Sequence, residues 1–315
     1  MVQYTFCLPA YKADYFEEAL RSIQKQTYHD FKVIVSDDCS QEELKPKFDK
    51  VSGNDSRFVY RRNSKNIGGK NLVQHWNLLV DMCDTEYLIL ASDDDIYDSF
   101  FLEKIDELTK KYPECDIFRA RVRRVDENCN TIRRDACYEE HVSQIEYIAQ
   151  RYYTNNVQCI SNYVFKTKAL KEKGGFIDFP LAWYSDVATT IMMSEKGLVN
   201  TRELLFSFRI SKENLSTEKR QSSTIHKKKL EAALLFDRWM VALMEKVRFP
   251  VNLEYRQMKD FIVREHRKDI YYNISCYRDA LSLRELWILA KKYSSLGYIN
   301  NKYMFFKLIQ KKLLD

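Results

Sequence analysis

The chain has 315 residues, 45% hydrophobic and 30% charged, which excludes a disordered polymer and fits one large domain or a main domain with an appendage. The net charge of +6 is unevenly spread: residues 219–315 carry 21 Lys/Arg against 10 Asp/Glu, a surplus of +11, so the first 218 carry −5. Seven glycines form no G-x-G, P-loop or G-x-S-x-G pattern, and the eight cysteines and five histidines form no C-x-x-C or H-E-x-x-H, which excludes dinucleotide fingerprints, Walker loops, nucleophile elbows and the common zinc sites.

Val2–Leu8 predicts a buried strand ended by Pro9, and Asp14 with Glu17 predicts a capping box opening an amphipathic helix. Phe31–Ser36 is a second strand and Phe58–Arg61 a short third. A helix over Gly69–Cys83, a strand at Tyr87–Ala91 and a helix from Ser99 to Tyr112 follow. This β-α-β-α order predicts a parallel sheet with helices on both faces. From Asp116 the rhythm changes: Phe118, Ala120 and Val122 alternate with Arg119, Arg121 and Arg123 as in a half-exposed strand. Ser143 and Glu146 open a helix, Tyr163–Lys166 is a strand, Ser185 caps a helix ending at Gly197, and Leu205–Ile210 is a late strand. Beyond a polar stretch at Thr217–Ser223 the pattern is helical, over about 225–247, 253–275, 282–296 and 302–314. The predicted division is therefore 1–217, with halves of about 1–115 and 116–217, and a helical region 218–315.

Ligands of open α/β sheets sit beyond the C-terminal ends of the strands. Asp37/Asp38 and Asp93/Asp94/Asp95 both follow strands directly, so the topology places them at one edge. Three adjacent carboxylates repel one another unless a cation or a set of donors offsets them. Hard divalent cations, Mn²⁺ or Mg²⁺, take such oxygens together with substrate phosphates. A solvated turn is the competing reading of the triplet, and an Asx turn that of Asp37/Asp38. Asp186, in the first turn of a helix and next to Trp183 and Tyr184, reads as a general base or as an ordinary acidic residue favoured by the helix dipole.

Together these residues resemble the inverting glycosyltransferases of family 2. The opening TFCLPAYKADYFEEALRSIQKQTYHDFKVIVSDDCS is similar to that family's strand, helix, Q-T-Y and V-D-D-x-S stretch. Asn66-Ile67-Gly68, Glu86–Ile89 with Ser92-Asp93-Asp94, Gly174-Gly175-Phe176 with Ser185-Asp186, and Phe208-Arg209 with Asn214-Leu215-Ser216 resemble its later motifs, over about 2–217. Three positions depart from the pattern: Ala91 stands for the first Asp of D-x-D, Ser185 for the commoner Glu, and Ser211 for His.

The resemblance implies a GT-A fold, Rossmann-like and mostly parallel, and transfer of a sugar from a nucleotide donor, UDP first, to a hydroxyl of a glycan or lipid-linked glycan. Pro9, Ala10 and Tyr11 would line the base and Asp38 would accept its N–H. Asp93 would hold ribose or metal, Asp94 the Mn²⁺ or Mg²⁺, and Asp186 would be the catalytic base. Lys70 would add charge near the phosphates, with a solvated helix lysine as its competing reading. Trp183, Tyr184 and Arg209 would contact acceptor or phosphate, and Arg209 reads equally as a late-strand salt bridge. The rivals are a nucleotidyltransferase, which would need a glycine-rich loop that PAYKADY lacks, and a non-catalytic nucleotide-sugar or glycan binder. Acidic clusters at the sheet edge argue against a nucleic acid partner. The lack of a leader pattern or an 18-residue apolar run predicts a reducing cytoplasm with free thiols, and the family resemblance implies surface polysaccharide synthesis as the setting. The basic, aromatic-rich last third reads as an annex to the core, as a dimer interface or as a peripheral contact with the inner membrane face.

Overall fold

The structure, a computed structural model, describes residues 3–211, 222–247 and 253–295. The elements begin β1 (Tyr4–Ala10), α1 (Phe16–Gln24), β2 (Phe31–Asp37), α2 (Lys45–Ser52), β3 (Phe58–Arg62), α3 (Leu72–Met82) and β4 (Tyr87–Leu90). They continue with β5 (Ile96–Tyr97), α4 (Phe101–Lys111), β6 (Ile117–Val125), β7 (Thr131–Arg134), β8 (His141–Val142), α5 (Gln144–Tyr153) and β9 (Tyr163–Lys166). Then follow α6 (Thr167–Glu172), α7 (Ser185–Met193), β10 (Leu198–Arg209), α8 (Ser223–Lys246), α9 (Leu253–Cys276) and α10 (Leu283–Ser295). The expected helix at 302–314 and the Asn214-Leu215-Ser216 motif lie outside the described residues.

Among the described residues one sheet carries all ten strands, in the order β3-β2-β1-β4-β9-β6-β10-β5, with β7 on β6 and β8 on β10. β1 to β4 are mutually parallel, each step crossing through a helix, as the sequence rhythm requires. β9 runs antiparallel to both β4 and β6, and β10 is parallel to β6. The sheet is thus mixed, because the second half inserts β9 between strands that come before it in the chain. Phe6, Leu8, Val33, Val35, Ile89 and Phe118 fill the core beneath it at 0% exposure.

Two local expectations fail for identifiable reasons. No side chain caps α1, which starts after Tyr15; Glu17 instead pairs with Arg21 and Lys50, both at 2.9 Å, and two cations outcompete one backbone N–H. β6 departs from a half-exposed strand at Arg119 alone, Arg121 and Arg123 staying partly exposed: Arg119 is buried, lies 3.4 Å from Asp135, donates to the Val157 carbonyl and packs on the Tyr138 and Tyr163 rings. The sheet is covered on both faces there, so an arginine at an alternate position must bring its own counter-charge. The Ser143–Glu146 capping box does form.

The chain divides into two compact units. One holds the residues up to Asp178 and those from Ser185 through β10. The other holds Phe179–Tyr184 with the C-terminal helices, so a six-residue segment leaves the sheet unit and returns to it at α7. In the helical unit Leu230, Ile270, Ile274, Leu286 and Tyr293 form the core, and Asp237 accepts from Tyr293 Oη at 3.1 Å and pairs with His266 Nε2 at 3.0 Å. Among the described residues no helix is long and apolar enough to cross a membrane.

Arg119→Ala leaves Asp135 buried with only the more distant Arg124, at 3.6 Å, as its counter-charge. It should cost about 3 kcal/mol of unfolding free energy, read from the urea midpoint; a change below the scatter of surface substitutions would show that the pair contributes nothing.

Candidate active site

The parallel register sets the ends of three strands side by side: Ala10 lies opposite Asp37 on β2, and Cys7 opposite Leu90 on β4. The chain leaving β1 therefore meets the acidic tetrapeptide leaving β4. Asp93 Oδ2 accepts the backbone N–H of Tyr11 and of Lys12, each at 2.9 Å. Asp95 accepts from Ser92 Oγ at 2.5 Å and, through Oδ1, from the Arg209 N–H at the end of β10 at 2.9 Å. Asp94 has the Ser92 hydroxyl and the charges of Lys12 and Arg209 to hold it down, yet burial still pushes its carboxyl up. Burial and the Asp94 charge push Asp93 up to about 6 and Asp95 up to about 8. The donors present do not fully offset the repulsion. Carboxylates raised by burial and mutual repulsion suit a cation, and among the described residues Asp94 is the one of the triplet that no backbone N–H from another strand end holds. Among the described residues no three His, Cys, Asp or Glu side chains group as a complete ligand set. Mn²⁺ or Mg²⁺ shared between one or two carboxylates, water and phosphate fits that donor set.

Asp37 and Asp38 divide their labour. Asp37 is fully buried and accepts from Ser40 N at 2.8 Å, Tyr60 Oη and Arg62 Nη1, which hold its carboxyl low against the effect of burial. The bond from Ser40 N reaches three residues on, one beyond the Asx turn expected for this pair, and holds the same turn. Asp38 Oδ1 accepts from Asn63 Nδ2 and Ile67 N, both at 2.9 Å, and Oδ2 from Gly68 N at 2.6 Å. Asp38 thereby pins the Asn66-Ile67-Gly68 loop. A Cβ on Gly68 would come 2.9 Å from Asp38 Oδ2, which is why this loop residue is glycine. His75 stands 3.6 Å from Asp38 and 2.9 Å from Ser36 Oγ, and desolvation holds its imidazole below the usual range. Pro9 and Ala10 end β1, Tyr11 is 40% exposed at its exit, and Lys70 is exposed ahead of α3.

Asp186 sits in the first turn of α7, where Oδ1 accepts the Val187 N–H at 2.8 Å. Burial pushes its carboxyl up to about 6, opposed by that bond and by Arg151. Burial raises the Cys159 thiol, the Asp95 charge adds to this and Asp186 adds least, and the Cys159 Sγ lies 3.8 Å from Asp95 Oδ2. Cys159 thus lies against the triplet at Asp95. Nothing in the sequence marks Cys159, a lone cysteine before a 3₁₀ turn.

Three expected contact residues, Arg209, Trp183 and Tyr184, are engaged within the protein, Arg209 as the late-strand salt bridge of its alternative reading. Arg209 is 1% exposed: Nε donates to the Asp94 carbonyl, Nη1 to the Glu127 carbonyl and Nη2 to Glu18, and the guanidinium lies 4.2 Å over the Tyr15 ring. With its donors so engaged, it braces the acidic tetrapeptide instead of facing a phosphate. Tyr184 stacks on Phe236 at 4.6 Å, donates to Asp269 and accepts from Asn273, while Lys229 lies 4.0 Å over Trp183. Both rings anchor the segment to the helical unit. Leu181, Ala182 and Tyr184 take positive φ (60°, 56° and 69°), a conformation that side chains rarely adopt unless packing imposes it.

The sequence model of Glycosyl transferase family 2 matches residues 5–174, more than half of the chain. Residues 1–349 of Staphylococcus aureus TarS, solved with UDP-GlcNAc, are 14% identical and superpose with a TM-score of 0.66, covering 97% of this chain and 89% of that one. Full-length TarS is a longer protein, of which the match covers 54%. The mannosyltransferase PcManGT of Pyrobaculum calidifontis, solved with GDP-Man and Mn²⁺, is 14% identical with a TM-score of 0.54, covering 98% of this chain and 85% of that one. No curated protein matches the sequence. At such identities the structural likeness carries the fold alone, and the sequence match carries the family. The chain belongs to glycosyl transferase family 2 and is a glycosyltransferase with the GT-A fold.

Proposed function

We propose that the protein is a metal-dependent inverting glycosyltransferase that moves a sugar from a nucleotide-sugar, UDP-linked first, to a hydroxyl of a glycan or lipid-linked glycan in surface polysaccharide synthesis. The observation that carries this reading is the pair Asp93 and Asp94 at the exit of β4, both with carboxyls raised by burial, within the same compact unit as Asp186, whose carboxyl burial also raises at the start of α7. UDP-GlcNAc in TarS and GDP-Man with Mn²⁺ in the mannosyltransferase support the donor class and a divalent metal. All eight cysteines are free thiols, which supports a reducing, cytoplasmic setting.

The base would lie against Pro9, Ala10 and Tyr11 and the loop that Asp38 pins. Asp38 Oδ2 accepts a single N–H there and can take an imide N–H as well. Asp93, fixed by the Tyr11 and Lys12 amides, orients ribose or metal, and Asp94 holds the cation; Lys70 lends charge to the phosphates. When bound, the cation offsets the charge gathering on the leaving diphosphate. Asp186 takes the proton of the acceptor hydroxyl as its oxygen attacks the anomeric carbon. The anomeric C–O bond to the diphosphate breaks with its electron pair, and the nucleoside diphosphate departs. A single displacement inverts the configuration and needs no enzyme nucleophile, and NMR of the product glycoside reads it directly.

Asp186→Asn should lower transfer by about 10²–10⁴ with donor affinity nearly unchanged. In the parent, kcat/KM should rise with pH through about 6, where Asp186 and Asp93 ionise, and the limb should become shallower in the variant, which keeps only the Asp93 ionisation. A folded carboxyl pKa raised above the unfolded value gives stability that is present at low pH and is lost as pH rises to about 6. The variant should therefore melt no lower than the parent at pH 7 and gain nothing at pH 4. Collapse of donor binding together with rate would place Asp186 in the nucleotide site instead.

Asp94→Asn should abolish Mn²⁺-dependent donor turnover and the extra thermal stability that Mn²⁺ with UDP confers on the parent, with the fold intact by circular dichroism. A near-normal rate in this variant would remove the metal role from Asp94.

A further inference from the structure

The sequence puts Leu283, Leu286, Trp287, Ala290 and Tyr293 on one helical stripe, but α10 uses them in two ways. Leu286, Ala290 and Tyr293 are buried in the helical core at 1%, 3% and 0% exposure. Leu283, Trp287 and Ile288 are about half exposed, at 50%, 49% and 51%. The core face is complete, and a second apolar face remains. Positions 283, 287 and 291, with 284 and 288 beside them, share one side of the helix. That side therefore carries Leu, Trp and Ile interleaved with Arg284 and Lys291. Lys291 Nζ lies 5.2 Å over the Trp287 ring, and both cations are solvent-exposed. The nearby carboxylate, Glu285, is engaged by the Ser282 N–H and hydroxyl at 2.6 and 2.7 Å and by Lys227 at 3.7 Å. Ile288 also borders an open groove of about 360 Å³ whose walls include Leu230, Leu234, Leu281 and Leu289.

We propose that this face of α10 docks on an anionic lipid surface, with Trp287, Leu283 and Ile288 entering the headgroup boundary and Arg284 and Lys291 meeting acidic headgroups. Exposed large apolar side chains clustered among cations mark an interaction site, and an interfacial helix has this composition. Charge decides the occupant. A two-fold contact with a second copy would bring the same cations face to face, whereas an acidic leaflet neutralises them. The +11 surplus of residues 219–315 extends the same complementarity to the rest of this region. The inference concerns the helical unit and does not depend on the proposed donor or base.

Co-sedimentation of the full chain with phosphatidylcholine vesicles, with and without phosphatidylglycerol, tests it. Pelleting should require phosphatidylglycerol and weaken as salt is raised. Lys291→Gln should weaken partition about fivefold, and Trp287→Ser should weaken it roughly tenfold, with melting temperature and glycosyl transfer to a soluble acceptor unchanged. Equal pelleting with both vesicles, binding unaffected by either substitution, or no pelleting together with a dimer that Trp287→Ser dissociates would each overturn the proposal.

Discussion

Like-charge repulsion within Asp93-Asp94-Asp95 is the constraint around which the sheet unit is organised. Each outer carboxylate is held by donors from a different part of the chain: the Tyr11 and Lys12 amides after β1, and the Arg209 amide at the end of β10. Satisfying these acids therefore ties three strand ends together. Arg209 adds a second tie by bonding the Asp94 carbonyl with one nitrogen and Glu18 of α1 with another. The residual destabilisation shows in carboxyls still pushed upward. Such a site is preorganised for positive charge, because the fold has already met the cost of assembling it.

The same logic recurs one loop away. Asp38 spends its oxygens on Asn63, Ile67 and Gly68 and so makes a wall out of a stretch that has no regular structure of its own. Asp37, its neighbour in sequence, turns the other way and is consumed by Tyr60, Arg62 and Ser40. Adjacent residues at a strand end point to opposite faces, so one acid serves the turn and the other the loop.

The helical unit follows different physics. Its apolar core surrounds the Asp237–His266–Tyr293 network and the buried Asn273, and it takes in Trp183 and Tyr184, which sequence adjacency to Asp186 had suggested for the acceptor. Ring stacking on Phe236 and the positive φ angles at 181, 182 and 184 follow from that capture. A linear motif gives no sign that its aromatic half belongs to one unit and its acid to another.

Much of the first 115 residues was legible because parallel strands buried on both faces leave continuous apolar runs, and the acids that follow such runs fall at one edge by topology alone. Strand ends, the acidic clusters and the family likeness needed only the order of residues. The antiparallel insertion of β9, the burial of Arg119 and the bracing role of Arg209 did not follow from order, since each depends on partners far away in sequence: β4, Asp135 and Glu18. Short strands such as Ile96–Tyr97 carry too few residues to show a period. Local periodicity and spacing determined where acids and helices would stand. Which of those acids would be strained, which cations would be consumed and which face of α10 would stay uncovered were decided by burial, because desolvation and neighbouring charge exist only once the chain has packed.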